Sequence, residues 1–297
     1  MEFSKKGFEL LTYIDKNGRR PQHDLAKELE ISVGSINRLM QDYTAEGLID
    51  NAGLTAKAYE ALEPYRVKRA IILAAGFSER LAPITLTTPK PLVQIKGKRI
   101  IDTIIDALID AEIKDITVVT GYKAEQFDEL KKKYPSVQLK VNELYNQSGN
   151  ITTLFCAKDK IDSCYICDAD LYVHNPTIIN KYEYSSCFFG VPVRETDDWC
   201  FEMAGKHISR FGIGGDKCYK AIFITYLNAA DSMKCQAGLE KMISSRGGKE
   251  RHWFDVLFQK GNKYKIEAKN CYMDDVTEID TIGDLVKLDE SYFGSKL

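Results

Sequence analysis

The chain has 297 residues, 44% of them hydrophobic and 28% charged, with 41 basic against 43 acidic side chains and a formal charge of −2. That is the composition of a soluble globular protein, and it offers no global attraction to nucleic acid or an anionic membrane. No run of about 18 apolar residues is present, which excludes a helical membrane span; Met1–Gly7 leads into no apolar core of the export-signal type, so a cytoplasmic protein is expected.

At the N-terminus, Phe8, Leu10, Leu11 and Ile14 recur at helical spacing, and Asn17-Gly18 closes that helix. A second helix is predicted over Gln22–Leu29. A third starts from Ser32 as N-cap and runs through Ile36, Leu39, Met40 and Tyr43. The segment 47–55 predicts a short β-wing, and Ala56–Leu62 a last helix. This order resembles a winged helix-turn-helix, whose recognition helix would present Ser35, Asn37, Arg38 and Gln41. Residues 1–65 carry 8 basic and 11 acidic side chains, a net of −3. Phosphate neutralisation supplies most non-specific DNA affinity, so DNA binding is expected to be weak, through a patch such as Lys16, Arg19, Arg20 and Arg38. A regulatory, dimerising or structural role stays open, and the oligomeric state is not legible. The charged connector Glu63–Arg69 leads to a second domain, so the predicted division is 1–65 and 66–297.

In the second domain, Ala70–Leu73 is apolar and β-prone, as a central parallel strand requires. Ala74, Ala75 and Gly76 carry almost no side chain, so a ligand can lie against the backbone there. Arg80 and Lys90 follow, placing positive charge at the strand's carboxyl end, where open α/β sheets bind ligands. Small residues beside two cations suit a nucleoside triphosphate. Downstream, a helix is predicted over Ile100–Ala111, a strand over Ile116–Thr120 followed by Gly121-Tyr122, and a helix over Ala124–Tyr134. A strand over Val137–Asn142, a helix over Ile151–Ala157 and a strand over Cys164–Ala169 come next. The rhythm is that of an α/β, three-layer, Rossmann-like fold around a mainly parallel mixed sheet. Cys164 and Cys167 have the spacing of a metal or redox pair, but in a strand they face opposite sides. All eight cysteines are therefore expected as thiols, without zinc.

Leu73-Ala-Ala-Gly76, Arg80, Pro83, Thr85 and Pro89-Lys90-Pro-Leu92 resemble the signature of the nucleotidyltransferases that make sugar nucleotides and CDP-alcohols. The chain departs from that pattern at Ser78, where the family usually has Gly, and at Glu79, where it has Ser or Thr. The resemblance implies that Leu73, Ala74, Ala75, Gly76, Gly121 and Tyr122 line the nucleotide, with Arg80 and Lys90 on its phosphates. It also implies an Asp leaving the Cys164–Ala169 strand as a Mg²⁺ ligand. By alignment this is Asp170, while Asp168 orders the loop or meets a ribose. A second carboxylate ligand is then needed. Asp280, in Val276–Leu285, is the best candidate, with Asp274, Asp275 and Glu278 close enough in sequence to be confused with it. Asp280 alternatively caps the helix predicted over Thr281–Leu288.

Tyr145–Leu154, Thr196–Trp199 and Arg251–Asp255 resemble segments of the bacterial choline-phosphate cytidylyltransferases, with Asn150 opening a helix beside the nucleotide. A quaternary ammonium is best held by aromatic faces and a nearby carboxylate, which would be Trp199, Trp253, Asp198 and Asp255. The implied reaction is Mg²⁺-dependent transfer from CTP to phosphocholine, giving CDP-choline and pyrophosphate. Rival readings are transfer to phosphoethanolamine or aminoethylphosphonate, a sugar-phosphate nucleotidyltransferase, and a transcription regulator that senses a nucleotide without turnover.

Overall fold

The computed structural model describes residues 2–259 and 264–294. The chain divides into two compact units, Met1–Arg66 with Tyr182–Tyr184, and Val67–Lys181 with Ser185–Leu297.

In the first unit, α1 (Lys5–Asn17) starts where the Ser4 hydroxyl accepts from the Gly7 amide and stops at Gly18, whose φ of +72° suits glycine. Helices α2 (Gln22–Glu28), α3 (Val33–Ala45, capped by Ser32) and α4 (Ala56–Leu62, capped by Thr55) follow. The wing is a single bridge between Ile49 and Leu54. Leu10, Leu11, Leu25, Ile36, Leu48 and Leu62 are fully buried and form the core. Tyr182 joins that core, and Tyr184 stacks on Tyr65 and donates its hydroxyl to the Phe3 carbonyl at 2.8 Å. Nothing in the sequence marks the return of these residues to the N-terminal unit.

The second unit contains β1 (Arg69–Ala74), the short strands β2 (Gln94–Ile95) and β3 (Lys98–Arg99), β4 (Asp115–Thr120), β5 (Gln138–Val141), β6 (Cys164–Asp168) and β7 (Leu171–Val173). After these come β8 (Cys187–Ala204), β9 (His207–Leu227), β10 (Glu267–Asn270) and β11 (Val276–Glu278). Its helices are α5 (Ile100–Asp110), α6 (Asp128–Lys133), α7 (Ile151–Cys156), α8 (Ala229–Ile243), α9 (Asp255–Phe258) and α10 (Ile282–Leu288). Seven strands form one mixed sheet in the order β10-β8-β9-β6-β1-β4-β5. Strand β1 is parallel to β4 and β6, whereas β9 runs antiparallel to β6 and β8.

Both faces of β1 are covered. Ala70, Ile72 and Ala74 pack with Ile101, Ile104, Ile105 and Leu108 of α5, while Ile71 and Leu73 pack with α7 and α8. Each of the four fully buried α5 side chains contributes on the order of 1.5–3 kcal/mol. Cys164 and Cys167 fall on opposite faces, and all eight cysteines are free thiols. The helix predicted over Ala124–Tyr134 is instead a 3₁₀ turn over Ala124–Phe127, entered through Lys123 at φ +48°, followed by the short α6. No described helix is long and apolar enough to cross a membrane.

Candidate active site

At the carboxyl ends of β1 and β6, Leu73, Ala74, Ala75, Gly76, Lys90, Asn150, Asp168 and Asp170 line one cleft of 140 Å³. Ser78, Pro91, Thr153 and Ala169 complete it. Ser78 has φ +59°, which explains why glycine would be at ease there; its carbonyl accepts from the buried Thr85 hydroxyl at 3.1 Å. Gly121 and Tyr122 do not line the cleft. A Cβ on Gly121 would lie 2.9 Å from the Ala75 carbonyl. Tyr122 donates its amide to Ala75 O at 3.1 Å and its hydroxyl to Thr85 O at 2.9 Å. The pair therefore braces the loop that carries Arg80 and Lys90.

Lys90 is only 4% exposed, and its ammonium donates to Asp170 at 3.0 Å and Asp280 at 3.2 Å. Burial works against its charge, but the two carboxylates outweigh it and raise the pKa. Arg80, largely exposed, reaches the same Asp280 oxygen at 2.7 Å. The two acids meet because β7 and β11 pair antiparallel, with Leu171 opposite Glu278 and the Ile279 amide donating to Asp170 O at 2.9 Å. Asp280 does not cap α10. Thr281 does, in a capping box with Asp284, so the Asp280 carboxylate is left for the site. Asp275, in contrast, receives Asn175 and the Tyr272 amide and is part of a turn.

Glu278, set aside in favour of Asp280 on sequence grounds, belongs with it. Carboxylate oxygens of Asp170, Glu278 and Asp280 all lie within 4.8 Å of one another, and Asp170 Oδ1 is buried without a partner. Hard oxygen donors in that number fit a divalent cation such as Mg²⁺. Burial first, then the charges of Asp170, Asp280 and Asp198, push the Glu278 carboxyl up to about 8, with Lys220 opposing. Asp168 is also raised, by burial first and then by Asp170 and Glu278. Lys90 and then Trp253 offset part of that rise; the Trp253 indole N–H and Asp168 Oδ1 are both buried without a hydrogen-bond partner.

Glu278 should also make stability depend on pH. Between its ordinary 4.5 and about 8, the folded protein holds a proton that the unfolded chain has released. The metal-free protein should therefore lose stability as pH rises through that window, by at most about 1.4 kcal/mol per pH unit for one proton. Thermal melts should show Tm falling from pH 5 to 8.5, and Glu278→Gln should flatten the slope. An unchanged slope in that variant would remove the buried-proton account.

Asn150 stands immediately before α7, and its side-chain oxygen accepts from the Trp253 amide at 3.0 Å. Gly149 makes that approach workable, since a Cβ there would sit 2.3 Å from the Arg251 carbonyl. Trp253 is fully buried in the core. Trp199 is half-buried and touches Phe211, His252 and Phe254. No ring contact joins the two tryptophans among the described residues; Phe254 touches both. Asp198 accepts from the Trp199 amide at 2.7 Å and from Lys220 at 3.0 Å. Burial would raise its pKa, but Lys220 holds it low. Asp255 accepts from the His252 amide at 3.2 Å and shapes that turn. Sequence reasoning missed Lys220 and Thr153. Only the Thr-Thr that follows Asn150-Ile151 offered a signal for the latter.

On the first unit, Asn37, Arg38 and Gln41 of α3 are exposed. Ser35 shares a hydrogen bond with Ser32, and Arg38 lies 3.8 Å from Asp42. Arg19 donates to the Asp50 carbonyl and so holds the wing.

Residues 69–176 match the nucleotidyl transferase family, and residues 3–50 match a winged helix-turn-helix DNA-binding family. A 2-aminoethylphosphonate cytidylyltransferase of Lancefieldella rimae is 33% identical over 228 residues, covering 75% of this chain and 92% of that protein. The choline-phosphate cytidylyltransferase of Streptococcus pneumoniae is 29% identical over 223 residues, covering 75% of this chain and 97% of its own length. The solved structure of CTP:phosphocholine cytidylyltransferase from Streptococcus pneumoniae superposes with a TM-score of 0.70 at 28% identity, over 76% of this chain and 99% of that one. The chain belongs to the nucleotidyl transferase family and carries a winged helix-turn-helix at its N-terminus.

Proposed function

We propose that the protein is a Mg²⁺-dependent cytidylyltransferase joining CTP to a small amine that bears a phosphate or phosphonate. The observation that carries the transfer chemistry is Lys90 bound to Asp170 and Asp280 at the mouth of a small-residue loop. An oxygen of the acceptor attacks the α-phosphorus in line, and the bond to the departing pyrophosphate breaks. The nucleophile is already an anion, so neither a covalent intermediate nor a general base is required. Backbone of Leu73–Gly76 leaves room for the nucleoside, with Asn150 and Asp168 beside it. Arg80 binds the phosphates that leave, and Lys90 meets charge developing at the α-phosphorus. Asp170, Glu278 and Asp280 would hold Mg²⁺, which supplies charge neutralisation to the triphosphate when bound.

Among the acceptors open to it, a primary ammonium fits better than the phosphocholine expected from the sequence. With Trp253 buried, one tryptophan, Trp199, is left for the head group, and Asp198 beside it accepts hydrogen bonds. We therefore favour 2-aminoethylphosphonate or phosphoethanolamine. Phosphocholine remains a second reading, supported by the rings of Phe254 and His252 against Trp199. Pyrophosphate release, measured with four nucleoside triphosphates against these three amines and two sugar 1-phosphates, tests both. The highest kcat/KM is expected for CTP with a primary amine. Preference for phosphocholine would restore the aromatic cage, and preference for a sugar phosphate would overturn the acceptor class. Binding without turnover would make the protein a sensor. For the first unit we propose at most weak, steeply salt-dependent DNA binding, in keeping with its acidic balance.

A further inference from the structure

Arg80 and Lys90 both come from the loop after β1, and both are engaged by the acids that would hold a cation. In an in-line displacement the entering and leaving oxygens stand on opposite sides of phosphorus. One loop is thus poorly placed to serve both, and the acceptor's anionic group needs a cation from another element. Lys220 on β9 is such a residue. It is paired to Asp198 at 3.0 Å, yet both side chains keep solvent access, at 28% and 40%. Its backbone is held beside the aromatic corner because β8 bends back, so that Cys200 pairs with both Gly212 and Lys220. Strand β9 runs antiparallel to β6 with Ile224 opposite Cys167, so Lys220, four residues earlier, lies beyond the carboxyl end of β6, the end that carries Asp168 and Asp170. Burial works against the Lys220 charge, but Asp198 first, then Glu278 and Asp280, outweigh it.

We propose that Lys220 binds the phosphate or phosphonate group of the acceptor, while its partner Asp198 takes the acceptor's ammonium. The ion pair is complementary to a zwitterion of the same span: the ligand's anion replaces Asp198 on Lys220, and its cation replaces Lys220 on Asp198. Charge is conserved in that exchange, so little uncompensated desolvation is incurred. This inference rests on the cytidylyl-transfer reading and adds to it the residue that recognises the acceptor's phosphorus end.

Steady-state kinetics with CTP and 2-aminoethylphosphonate test it. Lys220→Gln should raise the acceptor KM roughly 10- to 100-fold, the range of a charge-assisted contact, with the KM for CTP within about twofold. Lys220→Arg should recover part of the loss. An unchanged acceptor KM, or equal rises for both substrates, would overturn the assignment. Inhibition by ethylphosphonate, which lacks the ammonium, needs no Lys220 variant. In Asp198→Asn, Lys220 loses its internal competitor, so ethylphosphonate should inhibit more tightly while 2-aminoethylphosphonate binds more weakly. No gain for ethylphosphonate would also overturn it. A wild-type protein inactive with every phosphorus-bearing amine would instead bring down the cytidylyl-transfer reading itself.

Discussion

Replacing Lys90 by Met should lower kcat by roughly 100- to 1,000-fold, the usual effect of deleting one preorganised donor aimed at developing charge. Met keeps most of the apolar stem of a side chain that is 4% exposed, so the packing of the loop is retained while the charge is removed. The loss should fall on kcat more than on the CTP KM if the ammonium meets charge that grows in the transition state. Arg80→Ala should be milder, because Arg80 is 69% exposed and reaches only one of the acids. Stability should fall too. Asp170 and Asp280 would lose the cation they share, although their partial exposure keeps the cost below the 3–5 kcal/mol typical of a broken, fully buried pair. Added Mg²⁺ should restore part of the Tm, since the three carboxylates remain. Equal losses in Lys90→Met and Arg80→Ala, confined to CTP affinity, would reduce both residues to ground-state binding.

How much of this site was legible beforehand depended on whether a residue's role was local. Ala70–Lys90 could be read because a strand, a turn without side chains and two cations lie in one stretch of 21 residues. Asp170 could be read because it leaves a strand at the place where the family resemblance implies a metal-binding Asp. Glu278 could not be separated from Asp280 by any rule of spacing. The distinction lies in the pairing of β11 with β7, which presents both acids to Asp170. Lys220 was invisible for a stronger reason. It belongs to the hairpin of β8 and β9, whose middle reads as loop: Arg194–Asp198 is polar, 212–217 carries three glycines, and the register shifts repeatedly. The two tryptophans show the same limit from the other side. Both stand in segments of similar character, yet Trp253 is fully buried in the core, its amide held by Asn150, whereas Trp199 is only partly buried against that core. Long-range pairing decided each of these cases, and no local pattern encodes it.

The acids should behave as a set with one exception built in. Asp170→Asn and Asp280→Asn should each cut turnover at least roughly 100-fold and raise the Mg²⁺ concentration needed for half-maximal rate, because each removes a charged oxygen from a group of three. In Asp280→Asn, Lys90 and Arg80 also lose a shared anchor, so the CTP KM should rise as well. In Asp170→Asn, only Lys90 is released, and the CTP KM should move less. Asp274→Asn is the control: Asp274 is exposed and outside the cluster, so both rate and Mg²⁺ requirement should stay at wild type. Asp275→Asn should behave differently again, lowering Tm without moving the Mg²⁺ requirement, since Asp275 receives Asn175 and the Tyr272 amide. Magnesium titrations of initial rate across the four variants separate these outcomes. Near-normal rate and Mg²⁺ dependence in Asp280→Asn would show that the end of β11 supplies the metal site through Glu278 alone, and the three-carboxylate assignment would fall with it.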